Sequence, residues 1–300
     1  MSDMAFDPTS PLTASGNLRR RQLVNRLAES AATAAALLAI AVLGIVIYAV
    51  IARGAGALNW DFFTKSPPAV VGAGGSAGGI APAIVGTAII VGFATAIAMP
   101  VGILVALYLT EFAKGRVGSA IKLTLDVLNG MPSIVIGVFV FGLLVSGHRQ
   151  SGFAGSVALA IIMLPLIARS TQEVLLLVPK SLREAADALG VSRWRSVIGV
   201  VLPTAMGGIL TGTVLAVARA AGETAPLLLC CSIFGNNTTV NLFGQAVPNI
   251  PVYIFTLSEQ ADPSGFTRAW GAALVLMAFI LVSSLGARAL LARSRRKLTQ

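Results

Sequence analysis

Six stretches of this chain are apolar for about as long as, or longer than, the roughly 20 residues that a helix needs to cross a bilayer core. They are Ala31–Ile51, Ala83–Leu109, Leu123–Val145, Val157–Val178, Val197–Leu229 and Ala269–Leu291. That pattern leaves few folds open. In lipid every backbone N–H and C=O must be paired within the protein, so apolar spans of this length read as helices. The expected fold class is an all-α integral membrane protein with six transmembrane helices. Composition agrees, because charged residues make up only 11% of the chain and hydrophobic ones 56%, whereas an ordinary soluble domain is about a quarter charged. The fifth stretch is too long for one perpendicular span, so it must tilt, break or begin outside the membrane.

Cationic side chains resist translocation and gather in cytoplasmic segments. With the N-terminus placed inside, 16 of the 22 Lys and Arg residues fall on the inner side. Arg53, Lys65, Arg149 and Arg268 fall outside, and Arg169 and Arg219 lie within spans. Both termini are therefore expected in the cytoplasm. The formal net charge of +10 is mostly an orientation signal, and a nucleic-acid role would need a basic folded domain that the sequence does not offer. Residues 1–27 read as a polar, disordered cytoplasmic tail, 28–80 as the first helix and its outer loop, 81–292 as the main helical domain and 293–300 as a basic cytoplasmic tail. A long polar lead before a full-length apolar span reads as a retained anchor rather than a cleaved signal. Val71–Gly79, rich in Gly, Ala and Ser, reads as a flexible outer linker.

Catalysis finds little support. A Gly-x4-Gly-Lys-Ser/Thr phosphate loop is missing, so the chain cannot by itself bind ATP in that manner, and energy, if used, must come from a partner. His148 is the only histidine and falls in a short outer loop. Cys230 and Cys231 are adjacent, which suits neither a usual disulfide nor a metal site, and they read as small apolar fillers.

Between the fourth and fifth apolar stretches lies a polar segment, Glu184 to Pro203, reading EAADALGVSRWRSVIGVVLP. Ser181, three positions before Glu184, makes a capping box, so a short helix is expected to begin at Leu182. Ala185, Ala186 and Ala188 favour helix and present a thin face, and Gly190 is suited to the left-handed turn that closes a helix. Such a helix lets another protein approach its backbone closely. The segment resembles the cytoplasmic coupling loop of ABC importer permeases, in which EAA, three residues, Gly, nine residues and Ile-x-Leu-Pro follow in order. Glu184, Ala185, Ala186, Gly190, Leu202 and Pro203 match that order, and Val200 stands where the pattern has Ile.

Two ion pairs are written into the spans. Arg169 and Glu173 are four apart in the fourth, and Arg219 and Glu223 are four apart in the fifth, a spacing that puts each Arg near its Glu on one helix face. Ionisable side chains at membrane depth cost about 2.5–3.5 kcal/mol each on insertion scales and usually face a bundle interior or a wet cavity. A guanidinium stays charged and offers paired planar donors to an oxyanion, and a nearby Glu would keep the anion from being trapped. The competing reading is that each Glu only neutralises its Arg for structural reasons. Pro226, just after Glu223, is expected to bend the fifth helix.

The sequence RAAGETAPLL from Arg219 to Leu228, with LPLIARSTQEVLLLVPKSLREAADALG from Leu164 to Gly190, resembles the A-type permease subunits of phosphate-specific ABC importers. VGILVALYLTEF (Val101–Phe112) and NGMPSIVIGVFV (Asn129–Val140) continue the likeness. The resemblance implies a type I permease fold with a cytoplasmic coupling helix, in a bacterial inner membrane. It also implies a homologous C-type permease, an ATPase dimer, an extracytoplasmic phosphate-binding protein and inorganic phosphate as cargo. Arg219, Glu223, Arg169 and Glu173 are then candidates for the substrate path. The alternatives are a permease for sulfate, molybdate or phosphonate, or a membrane component that senses phosphate.

Overall fold

The computed structural model describes residues 18–67, 78–113, 115–233, 240–260 and 263–298. Much of the expected linker Val71–Gly79 lies outside them, as do residues 1–17. Every regular element among the described residues is a helix.

Helix α1, Leu18–Gly54, is 37 residues long, about 55 Å at 1.5 Å per residue. It starts inside the segment that polarity assigned to a disordered tail, because Leu18–Leu27 contains only good or neutral helix formers and no Pro or Gly. Its residues up to Ile51 form a unit of their own, apolar on all sides through the central stretch. Such a surface is suited to lipid.

The second unit runs from Ala52, and its first helix after α1 is the short α2, Trp60–Thr64, capped by Asn59, whose Oδ1 accepts the Phe62 N–H at 2.8 Å. Helix α3, Ala81–Leu107, ends in a wide π turn, Tyr108–Phe112. Next come α4, Gly115–Gly130, and α5, Ser133–Val140, which runs into a second π turn, Phe141–Val145. Helix α6, Gly152–Leu176, is followed by the short α7, Lys180–Ala188, and α8, Arg193–Ser196. A third π turn, Val197–Val201, leads into α9, Leu202–Ala220. Helices α10, Ala225–Cys230, α11, Ile250–Glu259, and α12, Pro263–Leu298, complete the unit.

Helices α3, α6 and α9 pack at short range because small residues stand where backbones meet. A Cβ on Gly102 of α3 would sit 2.9 Å from Ile167 of α6, and one on Gly208 of α9 would sit 2.6 Å from Val174. Membrane helices associate by such contacts, since lipid supplies no hydrophobic drive between them. Ile90, Ala94, Leu159, Met163, Ile167 and Ala216 fill the resulting core. Helix α12 closes on α9, where Thr211 Oγ1 donates to the Ala287 carbonyl at 3.3 Å.

Five helices among the described residues are long and apolar enough to span, and a sixth span exists only as a pair bent by 103°, Gly115–Gly130 with Ser133–Val145. The third apolar stretch is therefore not one straight helix. Gly130 weakens the end of α4, and Pro132, which can donate no N–H and holds Met131 out of the helical region, forces the chain to restart. The fifth stretch breaks as well, between α9 and α10. Pro226 does not bend a continuous helix; it stands at the second position of α10, where an N–H would have no partner anyway. Helix α11, missed in the sequence, is ten residues long, too short to register as a span. Asn249 Oδ1 caps it by accepting the Val252 N–H at 3.0 Å, and Thr87 Oγ1 accepts the Ile250 N–H at 2.9 Å.

Candidate functional site

Arg219 lies in the last turn of α9, and its side chain is 60% exposed. A cation suits this position because the last helical carbonyls carry partial negative charge. The chain then turns. Gly222 N–H donates to the Arg219 carbonyl at 3.0 Å and Glu223 N–H to the Ala220 carbonyl at 3.1 Å. This fold-back, rather than a continuous helix face, brings Glu223 Oε1 to 4.0 Å from Arg219 Nε. The Arg219–Glu223 pair thus forms as the spacing predicts, on irregular backbone.

The two broken spans meet at this point. Gly137 of α5 lies so close to α10 that a Cβ on it would come within 2.8 Å of Pro226 Cα. Between the breaks is a cavity of about 200 Å³, lined by Asn129, Pro132 and Ser133 from the first and by Arg219 and Glu223 from the second, with Leu166 of α6 behind them. Ser133 is the first residue of α5, so the positive end of that helix joins the guanidinium at the cavity. Asn129 and Ser133 escaped the sequence reading. Their signal was the polar interruption Asn129–Ser133 within an apolar run.

Arg169 departs from expectation. It pairs with Asp126 of α4, not with Glu173, and Glu173 is exposed. The Arg-then-Glu order is the weaker one for a four-residue helical pair, and the long guanidinium arm reaches the neighbouring helix instead. Asp126 is the only acidic residue in its apolar stretch, a lone charge that calls for a cationic partner, although the pair itself stays partly exposed. Asp126 is three residues from Asn129 on α4, and Arg169 is three from Leu166 on α6, so the pair sits about one turn from the cavity along both helices.

At the other end of the bundle, α7 begins at Lys180 with Pro179 as its cap, two residues earlier than the sequence suggests. Ser181 therefore falls inside the first turn, and no side chain makes a capping bond there. The capping box is not formed. Gly190 does close the helix, at φ +68°. The Val191 N–H donates to the Ala186 carbonyl at 3.1 Å and the Gly190 N–H to the Asp187 carbonyl at 3.0 Å, the paired bonds of a Schellman end. Ala186 is turned inward, while Glu184 and Ala185 are exposed. Leu202 and Pro203 open α9 directly after the π turn. Since Pro203 has no N–H to offer the turn before it, wider spacing is natural there: Leu202 N–H donates five residues back, to Val197. His148 is exposed, and Cys230 and Cys231 are free thiols with no exposed surface.

Residues 98–296 match the family model of the binding-protein-dependent transport system inner membrane component. A phosphate transport system permease protein, PstA 1, of Mycobacterium tuberculosis is 36% identical over 99% of this chain and 98% of its own length. The phosphate transport system permease protein PstA of Xylella fastidiosa is 38% identical, covering 94% of this chain and 98% of its own. Among solved structures, a bacterial alginate ABC transporter bound to a periplasmic protein matches with a TM-score of 0.59 at 14% identity, over 91% of this chain and 96% of that one. The inward-facing methionine ABC transporter MetNI matches with a TM-score of 0.55 at 16% identity, over 72% and 95%. These likenesses show the fold.

Proposed function

The chain belongs to the family of binding-protein-dependent transport system inner membrane components, and from that premise we propose that it is a permease subunit of an ATP-driven importer of inorganic phosphate. It is a multi-span, non-catalytic membrane component. It works with an ATPase and a substrate-binding protein, and the second permease is a homologous C-type subunit. ATP and magnesium are bound by the ATPase dimer. Both termini face the cytoplasm, which puts α7 on the side where ATP is hydrolysed.

The observation that carries the reading is the cavity where both broken spans end, with Arg219, Asn129 and Ser133 on its walls. Arg219 supplies a permanent charge and planar paired donors, and Asn129 and Ser133 add neutral donors, a set that complements a tetrahedral oxyanion. Glu223 moderates the local field so that binding stays reversible. Arg169, held by Asp126, gives a second cationic station one turn away, and Glu173 beside it offers a further acidic group. Glu184, Ala185 and Gly190 form the surface on which the ATPase docks, Ala186 packs inward and seats that helix on the bundle, and Leu202 and Pro203 pass that movement into α9.

The test is to purify the tagged chain with its partners and reconstitute the complex in liposomes. ATP-dependent uptake of labelled phosphate should resist excess sulfate, molybdate and phosphonate. Equal competition by one of those anions would reassign the cargo, and the absence of any co-purifying ATPase would refute the importer reading.

A further inference from the structure

We propose that the buried Glu111–Arg183 ion pair is the strut that carries movement of α7 into the membrane bundle, which makes both residues positioning residues for transport. The inference rests on the importer reading. Glu111 lies in the π turn that ends α3, and its side chain is only 6% exposed. Arg183 projects from α7 and donates to Glu111 Oε1 from Nε at 3.1 Å and from Nη2 at 2.8 Å. The same guanidinium donates from Nη1 to the Val178 carbonyl at 2.8 Å and from Nη2 to the Leu175 carbonyl at 3.0 Å. One rigid planar group therefore fastens the end of α3, the C-terminal end of α6 and the docking helix together.

The next residue of that π turn is held as well. The Arg193 guanidinium lies 5.7 Å from the centre of the Phe112 ring, and the Trp194 ring lies 6.2 Å from it. Both come from α8, so α7 and α8 grip two consecutive residues of the π turn that ends α3. A buried ion pair is a poor way to gain stability, since apolar side chains of similar shape often do as well. It does fix direction and register, because a forked guanidinium tolerates little slippage. From this joint the path inward is continuous. Helix α3 packs on α6 where Gly102 meets Ile167, and Leu166, the residue before it, lines the Arg219 cavity. Coupling between distant sites runs through packed elements of this kind.

The test uses the whole reconstituted complex and reads three quantities in the same vesicles: phosphate uptake, ATP hydrolysis and the amount of ATPase retained. Glu111→Gln keeps the shape and removes the charge. It should retain the ATPase at wild-type stoichiometry and hydrolyse ATP, while phosphate moved per ATP falls at least tenfold. Arg183→Lys keeps the charge but loses the fork, and should fall between the two. An unchanged phosphate-to-ATP ratio in Glu111→Gln overturns the proposal. Loss of the ATPase or of the chain from the membrane in both variants also overturns it, by assigning the pair to local folding. The two failures separate: a wild-type complex that moves no phosphate refutes the importer reading, whereas a transporting wild type with an unaltered ratio in Glu111→Gln refutes only the strut.

Discussion

Replacing Arg219 by Gln, alone and together with Glu223→Gln, separates a transport site from a structural ion pair. Arg219 is 60% exposed and its Nε is 4.0 Å from Glu223 Oε1, so the attraction lies near the weak end of the range for partly solvated charges, about 1 kcal/mol. Losing it would cost little assembly. The larger structural cost falls on Glu223, only 17% exposed, which in the single variant keeps its charge without a partner. That leaves a penalty of about 1–3 kcal/mol, which the double variant removes. Binding is different. Two charge-assisted hydrogen bonds to an oxyanion, discounted for exposure, contribute about 3 kcal/mol together, or roughly a 100-fold loss of uptake when they go. The expected outcome is reduced abundance for Arg219→Gln, abundance restored in the double variant, and uptake down about 100-fold in both. The assay is labelled-phosphate uptake normalised to chain abundance in the membrane. Uptake by the double variant above about a third of wild type would refute the reasoning and leave Arg219 and Glu223 as a structural pair.

Topology can be checked by impermeant maleimide, with Cys placed at Ser66 or Ser146 reacting from outside and Cys at Ser192 only after permeabilisation. The wild-type chain is its own blank, since Cys230 and Cys231 have no exposed surface; labelling at Ser192 from outside would invert the orientation. Gly190→Val puts a β-branched residue at φ +68°, costing roughly 1–2 kcal/mol, and should reduce uptake and ATPase co-purification without emptying the membrane of chain; normal values of both would remove the docking role. A double-mutant cycle on abundance should find coupling between Asp126 and Arg169 but none between Arg169 and Glu173, and a larger second value would restore the pairing expected from sequence spacing.

What the sequence by itself determined is local. Uninterrupted apolar runs dictate helices because lipid offers backbone groups no partner, the helix-forming alanines dictate α7, and Gly190 dictates where it stops. The contact between Arg219 and Glu223 was legible too, since four residues keep two side chains within reach even after the helix has ended. Tertiary structure decided the rest. Length and the Gly130–Pro132 interruption hint that two spans break, but apolarity does not fix the geometry. The 103° bend at Met131–Pro132 and the gap before α10 take their form only when neighbouring helices pack against the freed ends. Their meeting, not any spacing along the chain, puts Asn129 and Ser133 beside Arg219. Arg169 finds Asp126 across 43 residues and Arg183 finds Glu111 across 72. Periodicity predicts which side chains share a face, but a long guanidinium arm pairs with whatever carboxylate packing brings nearest, and that choice is made only when the helices are together.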